Sequence, residues 1–318
     1  MSRRLRGILL LVVAVAVLFA VISLASDVGK LGEKLEQFQW WALGAAAGLA
    51  IGNYVIRWFR WQWYLRDRHL IVPAGSSALV FVAGFALAVT PGKIGELVKA
   101  YLLRSMHGIP AVDSAPVVVA ERVSDLVALL LLAVIGVAIY GVAVNVVIAC
   151  SAVVVFGLIV LAWPRLAHGI IELVTPGKLH RFRDPMMRLY DGVAALNRPA
   201  ILLWATPLGA AAWMCECIGF YLVLRGFPGT GVPLGLATLI YAATTIAGAL
   251  SFLPGGLGVT EGAMTLLLVE STRGVDNDTA VAAAILTRLA TLWLAVGLGV
   301  IAMALCRRRG GSTAPPVL

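Results

Sequence analysis

Glu96, Lys99, Glu121, Arg122, Asp125, Glu216, Glu261 and Arg288 are charged residues set within or beside long apolar stretches. A charge at the centre of a bilayer costs about 2.5–3.5 kcal/mol on insertion scales, so such a residue must face a partner or a polar cavity. Arg122 and Arg288 carry the chemistry best suited to a phosphate, because a guanidinium matches phosphate oxygens bidentately. A structural role competes for Arg122, which lies three residues from Asp125 on a helix and could also pair with Glu96 or Glu261. Arg288 has no acid near it in sequence, which turns its reading toward substrate. Glu96, Lys99 and Glu261 follow chain breaks, where a carboxylate caps free amides or serves a proton or a cationic headgroup. Glu216 sits mid-helix without a local partner, as a relay, a substrate contact or a partner for Arg288.

The breaks are two copies of one motif. Pro91-Gly92-Lys93-Ile94-Gly95-Glu96 ends one apolar run, and Pro254-Gly255-Gly256-Leu257-Gly258 ends another. Proline lacks an amide proton, and glycine reaches backbone angles that a helix excludes. The freed carbonyls and amides are tolerated at membrane depth only beside protein or a wet cavity. Paired interruptions in corresponding halves point to a transporter's midplane site. A simple proline kink within a continuous helix is the plainer alternative.

The elements that must position these residues are membrane helices. The 318-residue chain is 61% hydrophobic and 13% charged, with a mean hydropathy of +0.95. Soluble domains carry roughly 25% charged residues, so this composition needs lipid as its solvent. Spanning runs are expected at 8–25, 40–56, 116–139, 142–163, 200–224 and 279–305. The segments 74–90 and 233–253 end at the breaks, and the short amphipathic pieces 97–106 and 262–270 follow them. If both interrupted segments turn back, most of the 25 Lys and Arg residues fall on one side, as the positive-inside rule requires. If the first crossed instead, the basic 164–199 stretch would land outside. The expected architecture is therefore an all-α polytopic membrane protein of six spanning helices and two re-entrant hairpins, arranged as inverted repeats. A single membrane domain would cover 1–309, with halves at about 40–163 and 200–305, a cytoplasmic linker at 164–199 and a disordered tail at 310–318.

Other features read more plainly. Cys150, Cys215, Cys217 and Cys306 are small apolar residues, and His69, His107, His168 and His180 lack metal-ligand spacing, so neither a metal nor a cofactor is expected. Gly44, Gly48 and Gly52 form a helix-packing face. Arg57 to Tyr64 form a basic-aromatic belt at an interface. The net charge of +9 follows from basic loops, and no nucleic-acid module is visible.

Asn53 to Arg60, Thr90 to Lys99, Glu121-Arg122-Val123-Ser124-Asp125 and Pro254 to Glu261 together resemble the transmembrane domain of lysylphosphatidylglycerol synthases, also found as standalone flippase-like proteins. The resemblance spans about 10–305. It implies movement of a lipid between leaflets, with the Pro-Gly hairpins, Glu96, Glu121, Arg122, Asp125 and Glu261 as the working positions. The soluble aminoacyl-transfer domain of the bifunctional relatives is not in this sequence, and the family's links to glycolipid and polyprenyl-linked sugar pathways leave the substrate open.

These readings converge on a flippase-like transporter of the cytoplasmic membrane, both termini inside, moving a phosphate-bearing lipid. A synthase or glycosyltransferase partner and a homo-oligomer are both compatible. The rivals are an enzyme or accessory subunit of lipid modification and a small-solute or ion transporter. No catalytic constellation is seen, so a transporter is expected rather than an enzyme.

Overall fold

The computed structural model describes residues 28–310, whose regular elements are all helices joined by short turns, with no strand among them. The expected first span at 8–25 and most of the tail lie outside the described residues. A short helix, α1 (Val28–Glu36), precedes the long α2 (Trp41–Asp67). α2 continues well beyond the apolar run at 40–56, because Arg57, Arg60, Trp61 and Tyr64 recur at helical spacing and are all buried. Of the Gly44, Gly48 and Gly52 face expected to pack, only Gly52 has a neighbour among the described residues, Cys215; Ala42, Ala46 and Ala50 are the buried positions.

Next comes the first broken element: α3 (Ala74–Gly84), a 3-10 turn (Phe85–Leu87), the motif at Pro91–Leu97, and α4 (Val98–His107). α5 (Ala111–Tyr140) starts before the expected 116, with Pro116 tolerated near its beginning, and ends at Gly141 in the left-handed conformation. α6 (Val144–Ala162) follows. The 164–199 stretch, expected as a cytoplasmic linker, is largely helical: α7 (Pro164–Val174), a 3-10 segment (Gly177–Phe182) and α8 (Arg183–Leu196). Pro164 and Pro199 stand at the first helical position, where the missing amide costs nothing, so they start helices rather than break them.

α9 (Pro199–Arg225) opens the second half. The second broken element is α10 (Leu234–Leu250), the turn Pro254–Gly256, and α11 (Val259–Ser271). α12 (Asn277–Arg288) runs through a π-helical turn (Leu289–Trp293) into α13 (Leu294–Gly310). By length and apolarity, Ala111–Tyr140, Val144–Ala162, Pro199–Arg225 and Asn277–Arg308 can each cross a bilayer. Their outward faces are apolar: Ile135, Ile139, Ile148 and Phe156 are exposed, as lipid-facing side chains would be. The protein is an all-α polytopic membrane protein.

The halves are related by exchange. α2 and α9 form the central pair, joined where the Asn53 amide donates to the Ala212 carbonyl at 2.8 Å. α3 of the first half packs on α13 of the second, and α10 of the second packs on α5 of the first. In each broken element the two flanking helices pack on one another. Gly136 on α5 and Gly299 on α13 lie equally far beyond their tip prolines. Each allows the partner half's broken element to approach, Leu239 against Gly136 and Phe85–Ala86 against Gly299.

Candidate functional site

The two breaks are built alike down to backbone angles. Thr90 and Leu253, before the prolines, both have φ −71° and ψ 149°. Gly92 (φ 59°) and Gly255 (φ 63°) then turn left-handed. The Lys93 amide donates to the Thr90 carbonyl at 2.9 Å, and the Gly256 amide to the Leu253 carbonyl at 2.9 Å. Proline followed by a positive-φ glycine, closed by an i to i+3 bond, is what a tight turn demands. Gly95 donates its amide to the Thr90 hydroxyl at 2.7 Å, locking the first tip. The tips touch, sharing a small apolar cluster of Val89, Leu257, Leu292 and Val296.

Beside the first tip lies a buried charge network. Asp125 pairs with Arg57 at 3.2 Å, with Arg122 at 3.2 Å and, through a hydrogen bond, with Arg60. Glu96 pairs with Lys99 at 3.2 Å and Arg122 at 3.4 Å, and Lys99 also reaches Glu121 at 2.9 Å. The Lys99 ammonium stands 4.7 Å from the Phe81 ring centre and 5.1 Å from that of Trp61. Four cations thus share three carboxylates, tying α2, the first broken element and α5 together. Desolvating so many charges is costly unless each is paired, so the network holds one arrangement firmly.

The second tip has a smaller counterpart. Arg288 Nε donates to Glu261 at 2.7 Å, and its guanidinium also donates to the Gly255 carbonyl. The other Glu261 oxygen accepts the Gly258 amide at 2.8 Å, capping α11. Each arginine therefore holds the glutamate of its own broken element, although the two glutamates are offset by two residues along the motif.

Two adjoining cavities meet between the halves. The larger is walled by Tyr54, Arg57, Lys93, Glu96, Glu216 and Arg288, among others. Its smaller neighbour lies between the tips themselves and shares Lys93, Thr245, Arg288 and Leu292. Glu216 accepts the Tyr241 hydroxyl at 2.5 Å and has no ion pair among the described residues, Arg288 being engaged elsewhere. Tyr54 donates to the Thr291 carbonyl at 2.7 Å, in the π-helical turn.

The expected residues are thus brought together, in two roles. Glu96, Glu216 and Arg288 face the larger cavity, whereas Lys99, Glu121, Arg122 and Asp125 lie behind it in the network. Of the tip residues, Gly92, Gly255 and Gly256 line the smaller cavity. Pro91, Gly95, Pro254 and Gly258 shape the turns and Glu261 anchors one of them. Sequence reasoning missed Arg57, Arg60 and Lys93. The first two were read as an interfacial belt, but they lie three apart on the buried face with Trp61 and Tyr64, a spacing that was there to be read. The outward members of that segment, Phe59 and Trp63, do face away.

Residues 8–299 match the family described as the lysylphosphatidylglycerol synthase TM region. The chain is also similar to two UPF0104 membrane proteins of Methanothermobacter thermautotrophicus. It is 24% identical to one over 94% of this chain and 95% of that one, and 24% identical to the other over 82% of each. Matched over residues 8–299, the chain belongs to the lysylphosphatidylglycerol synthase transmembrane-region family.

Proposed function

We propose that this protein moves a lipid with a charged, phosphate-bearing headgroup between the leaflets of the cytoplasmic membrane. The broken elements are re-entrant hairpins dipping from opposite faces. The headgroup passes through the polar space where their tips meet, while the acyl chains stay in the bilayer. One observation carries the reading: a charged cavity bounded by both halves lies at the contact between two pseudo-equivalent turns. In a chain exchanged about a two-fold relationship, rocking one unit against the other opens such a cavity alternately to each side. Arg57 and Arg288 supply guanidinium groups at its wall, and Arg122 orders the first tip through Glu96.

The test is reconstitution into proteoliposomes with fluorescent phospholipids, following loss of signal to an impermeant quencher. Transport of a phosphate-bearing lipid, reduced by Arg288→Ala, supports the reading. Uptake of small anions without any lipid movement would replace it with a solute transporter.

A further inference from the structure

The carboxylates around the cavities already have partners. Glu96 is held by Lys99 and Arg122, Asp125 by three arginines, Glu261 by Arg288 and Glu216 by the Tyr241 hydroxyl. The cation of Lys93 is different. It lines both cavities, is only partly exposed, and has no carboxylate within ion-pair distance among the described residues. Its nearest aromatic face is the Trp213 ring, with the ammonium 6.0 Å from the ring centre.

Its backbone is equally telling. Lys93 has φ 56°, a left-handed conformation that disfavours any residue with a Cβ. The pseudo-equivalent position in the second tip is Gly256, with φ 67°. One half therefore uses the residue the turn asks for, and the other carries strain to place an ammonium there. Strain of this kind persists where the surrounding structure enforces it, and it clusters at ligand sites.

We propose that Lys93 is the seat of a phosphate anion at the junction of the two cavities, with Arg57 and Arg288 flanking it. A phosphomonoester or phosphodiester suits the place, since Lys93 has no counter-charge among the described residues, while Arg57 and Arg288, paired with Asp125 and Glu261, can add further donors to its oxygens. The assignment deepens the transport reading and rests on it for the role of the cavity. Its measurement is binding, so the two can fail separately.

Purified protein in neutral detergent is titrated with dihexanoyl phosphatidylglycerol, with dihexanoylglycerol lacking the phosphate, and with inorganic phosphate, using thermal shift and calorimetry. Phosphatidylglycerol binds and dihexanoylglycerol does not. Lys93→Gln weakens binding about tenfold or more, and Lys93→Arg stays within about threefold, as for loss and retention of a charge-assisted contact. Lys93→Gly copies the second tip; it removes the strain with the charge, so it keeps or raises the melting temperature while losing the phosphate-bearing lipid. That variant guards against mistaking misfolding for lost binding. Competition by inorganic phosphate identifies a free anion as a sufficient ligand, and its absence ties recognition to the lipid headgroup. Unchanged affinity in Lys93→Gly and Lys93→Gln, or equal binding of dihexanoylglycerol, overturns the assignment. Binding that depends on Lys93 without any lipid movement in proteoliposomes overturns the transport reading alone.

Discussion

Gly92 lies against the ring of Phe252, so close that a Cβ on Gly92 would come within 3.0 Å of the ring's Cδ1. The converse contact is also made: a Cβ on Gly255 would stand 3.6 Å from the α-carbon of Val89. Val89 and Phe252 each sit two residues before their tip proline. The second residue before one proline therefore meets the glycine after the other, in both directions. A reciprocal contact of this kind is the mark of a two-fold relationship between the tips.

Gly92→Ala introduces two penalties at this contact. The new Cβ requires φ 59°, which costs about 1–2 kcal/mol for a residue other than glycine. It also meets Phe252. A lowered melting temperature in detergent, larger than for alanine at Gly262, where a Cβ meets open space and φ is not positive, is the expected outcome. Equal melting temperatures for the two variants would mean that neither the left-handed angle at Gly92 nor its contact with Phe252 is present.

Asp125 is the point on which three arginines converge, so its loss is felt across two helices. Asp125→Asn leaves Arg57, Arg60 and part of Arg122 without a counter-charge in a buried setting. Removing one partner of a buried pair costs about 3–5 kcal/mol. Glu216→Gln, by contrast, keeps an acceptor for the Tyr241 hydroxyl and breaks no ion pair, so it costs less than about 1.5 kcal/mol. Chemical or thermal unfolding of the two variants side by side checks the ordering.

The sequence shows the breaks plainly because proline and glycine act locally: their effect on the backbone does not wait for a tertiary partner. It also shows that charges in apolar surroundings must be engaged. Which charges engage one another depends on how helices cross, and that is tertiary. Arg57 and Arg60 look like an interfacial anchor in sequence because tryptophans surround them. Only the packing of α2 on α5 brings them to Asp125. The aligned motifs set Lys93 opposite Gly256, but the strain at Lys93 was illegible, since only the folded turn fixes the left-handed φ at that position. Residues 164–199 differ in the opposite direction: a stretch that reads as a linker is largely helical, with Pro164 and Pro199 at the starts of helices.

The Arg288–Glu261 pair separates structural from transport roles. Arg288→Ala leaves Glu261 without its cation and the Gly255 carbonyl without its donor, so the second tip loosens and stability falls. The combined change Arg288→Met with Glu261→Gln removes both charges together, while glutamine keeps an acceptor for the Gly258 amide. Stability recovers to within about 1.5 kcal/mol of the parent, in line with neutral replacement of buried pairs. Lipid movement does not recover, because the cavity has lost a cation. Recovery of both would assign Arg288 to scaffolding alone.

Away from the membrane-spanning segments, Asp276 caps α12, accepting the Thr279 amide at 2.8 Å, and pairs with Lys34 of α1 at 2.6 Å. Hydrogen bonding from Lys34 and Thr279 lowers its carboxyl from 3.8 to about 2. Because the folded-state value is depressed, its stabilising contribution is complete above about pH 4 and disappears as the pH falls through 2. Asp276→Ala loses a helix cap worth about 1 kcal/mol at neutral pH, and the exposed ion pair adds little beyond that. The gap in melting temperature between parent and variant should hold from pH 7 to about pH 5, then narrow between about pH 4 and pH 2. A gap that stays constant down to pH 2 would show that the cap does not depend on the ionised carboxylate.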